Sequence, residues 1–160
     1  MSHANDAVRD HLVRVLDWED AHVTFDQAVT GVPHQARGAR PPGFEHSPWQ
    51  LLEHIRIAQD DILDFCLNAN YEHRLKWPDD YWPKAAAPPD DDAWDASIVA
   101  CTRSRERLQQ LAREVDDLTV SVPTGSASQT YLRAILLAAD HVAYHVGQIV
   151  SVRRALGVWG

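Results

Sequence analysis

Three histidines carry the chemistry this sequence offers. His141 and His145 stand four apart in Asp140-His141-Val142-Ala143-Tyr144-His145. On a helix that spacing brings both imidazoles to one face, a turn apart. Two ring nitrogens so placed can share one divalent transition metal. His54 is the third candidate ligand. It falls with Leu51, Ile55, Ala58 and Ile62 on the apolar side of another helical stretch. Three inward histidines form a site with coordination positions left open, the mark of a metal that exchanges ligands or catalyses. The chain holds nine histidines, so one such pair arises readily by chance and the spacing needs context. Ala134, Leu137, Ala138, Gln148, Ile149 and Val152 share the face of His141 and His145. Both rings are therefore expected to point inward, among small residues that leave room for an ion. The same placement admits a plainer role: core histidines satisfied by hydrogen bonds, with no ion.

A ligating histidine needs a partner for its other ring nitrogen. Gln148, one turn beyond His145, is the best placed. Asp140, Tyr144 and Glu53 are the other candidates for this supporting role, and an ordinary surface or interhelix carboxylate is the favoured reading of Asp140. Arg37, Arg40, Phe44 and His46 lie in the loop before the helix of His54, which sits about 10 Å into that helix. They are candidates for the mouth of a substrate site, or for a solvated loop. His11, His22, His34 and His73 read as surface, packing or loop residues. Trp49, Trp77, Trp82, Trp94 and Trp159 read as packing anchors at helix ends and links.

Other chemistries fit poorly. There is no G-x-S-x-G elbow, no phosphate-binding glycine loop and no dinucleotide fingerprint. The formal net charge is -8 and no basic run is visible, so nucleic acid is not an expected partner. Cys66 and Cys101 lack C-x-x-C spacing and fall in helical patterns, where buried reduced thiols are usual. Together with a polar start that has no apolar signal segment, this favours a reducing compartment and a cytoplasmic location. The most apolar stretch, residues 134–152, contains Asp140, His141, His145 and Gln148. That density of polar groups argues for a core helix, and no membrane partner is expected.

Four helices must position these residues. The first is predicted over residues 4–30, ended by Gly31 and Pro33. The second opens at Ser47-Pro48-Trp49-Gln50, a capping box with proline at the first helical position, and fades near Asn68. The third begins at Asp90-Asp91-Asp92, whose carboxylates complement the positive end of the helix dipole. The fourth runs from about Ser128 to Leu156, with Gly157 placed to end it. Leu118 to Val122 reads as a linker. Residues 71–89 form a long connection rich in aromatics and prolines. Extended, it reaches roughly 60 Å at about 3.3 Å per residue, twice the roughly 30 Å length of the second helix. It can cross the whole bundle, so helices two and three can run parallel. The fold class is thus an all-α four-helix bundle with a long crossover between helices two and three, in one domain over residues 1–160.

Two motifs resemble a known family. Ser47-Pro48-Trp49-Gln50-Leu51-Leu52-Glu53-His54, followed by Ile57-Ala58-Gln59-Asp60-Asp61-Ile62, is similar to the second helix of the DinB/YfiT-like superfamily. Asp140-His141-Val142-Ala143-Tyr144-His145-Val146-Gly147-Gln148-Ile149, then Arg153-Arg154-Ala155-Leu156-Gly157 and Trp159, resembles its last helix. The resemblance implies a metal held by three histidines, which map onto His54, His141 and His145, with nickel or zinc as the suggested ions. It also implies homodimers, and in some relatives a thiol-dependent transferase or isomerase reaction using a low-molecular-weight thiol. The expected function is therefore metal binding, with a metal-dependent S-transferase or hydrolase acting on a small molecule as one reading. A non-catalytic metal- or ligand-binding stress-response protein is the other.

Overall fold

A computed structural model describes residues 3–160, with side chains from Asp6 onward. Among the described residues all regular structure is helical, apart from one isolated bridge between Ser121 and Thr130. The helices are α1 (His3–Val15), α2 (Phe25–Val29), α3 (His34–Arg37), α4 (Pro48–Leu67), α5 (Asp91–Glu114) and α6 (Tyr131–Ala155), with a 3₁₀ turn at Asp79–Tyr81.

The first predicted helix is two helices. α1 stops at Val15, and α2 restarts behind Thr24, whose hydroxyl accepts from the Gln27 amide while the Gln27 side chain returns to the Thr24 amide. This second capping box, Thr24-x-x-Gln27, lies inside an apolar stripe that masked it. The box before α4 forms as expected. The Gln50 amide donates to the Ser47 hydroxyl at 3.2 Å, and Pro48 takes the first helical position. Asp90 caps α5. α6 starts three residues later than predicted, because Val122 and Gln129, and Val120 and Tyr131, are joined by backbone hydrogen bonds before the helix begins behind Thr130. Its end is as read. Gly157 has φ +70°, and the Gly157 and Val158 amides donate back to Arg154 and Arg153.

Contacts between helices fix their directions. Glu53 meets Ser97, Gln59 meets the Cys101 carbonyl, and Asp60 meets Ser104. Residue numbers rise together along this seam, so α4 and α5 run parallel and residues 68–90 make the crossover. Arg9 reaches the Ala112 carbonyl and Gln109 the Val13 carbonyl, so α1 is antiparallel to α5. α6 packs along α4 in the opposite sense: Ile149 and Val152 share a cluster with Leu51 and Ile55, while Ala134, Ile135 and Ala138 share the other with Cys66.

Two apolar clusters result. One holds Phe25, Val29, Trp49, Leu51, Leu52, Ile55, Trp94 and Ile149; the other holds Leu12, Leu16, Cys66, Leu108, Ala134 and Ile135. On α6 the stretch between them carries His141 and His145. α6 is long and apolar enough to meet the length and hydropathy of a membrane span. Its inner residues instead pack into both clusters, Ala134, Ile135, Ala138 and Ala139 into one and Val146, Ile149, Val150 and Val152 into the other. Leu137, assigned from the sequence to the inner face, is 41% exposed, because it lies at the edge of a stripe narrower than the one inferred.

Candidate metal centre

α4 delivers His54 and α6 delivers His141 and His145 to one point in the interior. His54 and His145 are buried, and His141 is half-buried. The three rings form a near-equilateral triangle, with centroids 4.4, 4.5 and 4.7 Å apart. One nitrogen from each lies within 4.8 Å of the others. Nε2 of His54 and Nε2 of His141 are 3.0 Å apart. Two nitrogens about 2.0–2.1 Å from a shared ion are separated by about 2.8–3.4 Å for bond angles from 90° to tetrahedral. The pair therefore already stands at the spacing of co-ligands.

Hydrogen bonds select the tautomers. Nδ1 of His54 donates to the Tyr81 carbonyl at 2.8 Å. Nδ1 of His145 donates to Oε1 of Gln148 at 2.6 Å, and Nε2 of the same Gln148 donates to the Tyr144 hydroxyl. Each of these rings is left with its lone pair on Nε2, the form a metal requires. Electrostatics acts in the same direction. Burial first, then the neighbouring histidines, hold His141 down to about 3. Burial is also the largest cause for His145, down to about 4, against an opposing push from Gln148. Burial lowers His54 too, although its bond to Tyr81 opposes the shift. All three are neutral near pH 7. The donor set thus fits a divalent metal that accepts imidazole nitrogen, such as zinc or nickel.

The family model of the DinB superfamily matches residues 17–149. This chain belongs to the DinB superfamily. The stretch that places it among DinB proteins includes all three histidines. Neither a curated protein nor a solved structure shows a significant match to it.

The remaining site candidates separate clearly in this DinB protein. Gln148 and Tyr144 touch the centre, the Tyr144 ring lying edge-on to His145 at 4.9 Å. Glu53 does not. Adjacent to His54 in sequence, it points to a different face of α4 and meets α5, where Ser97 donates to it at 2.5 Å and Arg56 grips both its oxygens. Burial pushes its carboxyl up, but the bonds from Arg56 and Ser97 outweigh this and hold it below the ordinary value. Asp140 is exposed, on the outer side of α6. Arg37 is held between the Val32 carbonyl and Asp91 and lies over Trp94, so it braces the start of α5. Arg40 bonds Gln50 at the start of α4.

Phe44 and His46 do reach the centre's surroundings. They line a cleft of about 400 Å³ together with Tyr144, Gly147, Gln148 and Ser151. His46 also stacks on Trp82, at 3.8 Å between ring centroids. Trp82 stacks in turn on His54, at 3.8 Å and 3° between planes. Near-parallel rings at these distances place the indole between the two imidazoles.

Tyr81 and Trp82 are the functional neighbours that sequence reasoning missed. Trp82 read as a packing anchor, and a backbone carbonyl has no residue-type signature at all. The available signal was indirect: an inward His54 needs an acceptor for Nδ1, and the crossover is the aromatic-rich segment able to reach it.

Proposed function

We propose that this DinB protein binds one divalent transition metal through His54, His141 and His145 and uses it in a reaction on a small molecule, with a low-molecular-weight thiol as co-substrate. The observation that carries the proposal is the convergence of three neutral imidazoles from two helices, two of them with their outer nitrogen tied. Nickel and zinc are the ions that suit the donor set and the resemblance. An ion there would supply Lewis acidity, lowering the pKa of a bound thiol or water.

The chain's own residues account for the rest. The histidines hold; Tyr81 and Gln148 orient. Phe44 and Tyr144 give the adjoining cleft aromatic walls, and Gln148 and Ser151 give it polar contacts for a small substrate. Glu53, the side chain that would have closed the coordination sphere, is committed to Arg56 and Ser97. This favours the catalytic reading over a closed, non-catalytic site. The further elements of the proposal are a cytoplasmic location, consistent with the buried thiols of Cys66 and Cys101, and a homodimer. The exposed Leu136 and Leu137 of α6 are suited to such contact.

Metal quantification on the purified protein and on His145→Ala tests the binding. The expected result is one ion per chain, lost in the variant; no metal above background after reconstitution with nickel or zinc removes the proposal. A thiol-transfer assay with a model electrophile tests the reaction, and equal rates for metal-free and metal-loaded protein would leave a binding protein only. Sedimentation at the mass of one 18.0 kDa chain would remove the dimer.

A further inference from the structure

Tyr81 touches α4 at two points. Its carbonyl accepts from Nδ1 of His54 at 2.8 Å, and its hydroxyl donates to Oδ2 of Asp61 at 2.5 Å. Asp61 lies seven residues beyond His54, two turns along α4 and about 10 Å away. Tyr81 therefore lies along the helix as a strut, its backbone at the metal centre and its phenol anchored two turns off. Tyr81 as a whole is 6% exposed, so the strut is internal. The turn that carries it is closed by Lys76, whose amide donates to Asp80 at 2.8 Å, and by the Tyr81 amide, which donates to the Pro78 carbonyl. His73 also meets the Tyr81 hydroxyl, at 3.1 Å. Burial first, then Asp61, pushes the Tyr81 phenol up, so it remains a donor at neutral pH. Trp82, the next residue, covers the face of His54.

We propose that Asp61 and Tyr81 are positioning residues for the metal ligand His54: the carboxylate fixes the phenol, and the phenol fixes the carbonyl that sets the tautomer and tilt of the imidazole. The inference rests on the metal reading above. It assigns a metal-tuning role to a crossover side chain and a carboxylate that neither touch the ion nor line the cleft beside it.

Tyr71 supplies the control. Its hydroxyl donates to the other oxygen of the same Asp61, at 2.8 Å, and it makes no bond to a ligand. Tyr81→Phe and Tyr71→Phe thus each remove one hydrogen bond from the same carboxylate, Tyr81→Phe also removing the contact with His73. Zinc affinity is measured by competition with a chromophoric chelator, and the visible absorption of the cobalt-loaded protein reports ligand geometry. Tyr81→Phe and Asp61→Asn are expected to weaken zinc binding about tenfold or more and to shift the cobalt bands. Tyr71→Phe is expected to stay within about twofold, and the double variant Asp61→Asn/Tyr81→Phe to lose little beyond either single change. Should Asp61→Asn fail to fold, Tyr81→Phe, one hydroxyl smaller, carries the test against Tyr71→Phe. Wild-type affinity and spectrum in Tyr81→Phe would overturn the inference alone. So would an equal loss in Tyr71→Phe, which would reduce the network to a structural role. A wild-type protein that takes up no metal would overturn the metal reading and this inference with it.

Discussion

At the scale of single residues, the centre is built from imidazoles kept neutral by their surroundings. A charged ring would lose its hydration in the interior and would face two more rings of the same type. The consequence is a pH dependence in the metal-free protein. His141 and His145 titrate near 3 and 4 when folded, against an ordinary 6.5. Between those values the unfolded chain binds protons that the folded chain refuses. Stability therefore rises with pH across this window, is fully present above about 6.5, and falls as pH drops towards 4 and then 3. Thermal melts of the metal-free protein from pH 7 to pH 4 should show this decline, and His141→Ala should make it shallower. An unchanged slope in that variant would mean that other groups govern the acid limb.

At the scale of elements, α4 presents two different faces with adjacent residues. His54 turns to α6 and the crossover, while Glu53 turns to α5. The seam with α5 is polar: Glu53, Arg56, Asp60, Ser97 and Ser104 are linked by hydrogen bonds and ion pairs. Glu53, Ser97 and Ser104 are buried and must be satisfied together, so the seam fixes the register between two parallel helices. Glu53→Ala would leave Ser97 and Arg56 without their shared partner. A loss of about 1–3 kcal/mol is expected on chemical denaturation, with metal stoichiometry unchanged. A loss of bound metal with no loss of stability would instead return Glu53 to the centre.

At the scale of the whole molecule, the histidine triangle joins segments far apart in the chain. His54 and His141 are separated by 87 positions. An ion bound there would tie α4 to α6, and an ion that binds only the folded state stabilises it by mass action. At a free concentration one hundred times Kd the gain is about 2.7 kcal/mol. For a chain of this size, with roughly 2–4 °C per kcal/mol, the midpoint should rise by roughly 5–11 °C. Calorimetry with zinc or nickel, then with excess chelator, should show the rise and its reversal. His54→Ala should abolish both.

Much of this was legible in the sequence because it is local. Helix starts at Ser47 and Asp90, the stop at Gly157, and the shared face of His141 and His145 all follow from spacing and capping chemistry within a few residues. So does the all-helical class, and the length of the crossover foretold that α4 and α5 can run parallel. The break between α1 and α2 was hidden because the apolar stripe continues across it. What tertiary structure alone decided is which polar groups meet across the chain. Glu53 found Ser97 instead of the histidines, Arg37 found Asp91, and the backbone of Tyr81 found His54. Those pairings depend on the rotation of packed helices and the path of a 20-odd-residue connection, and neither is encoded in the type or spacing of the residues that form them.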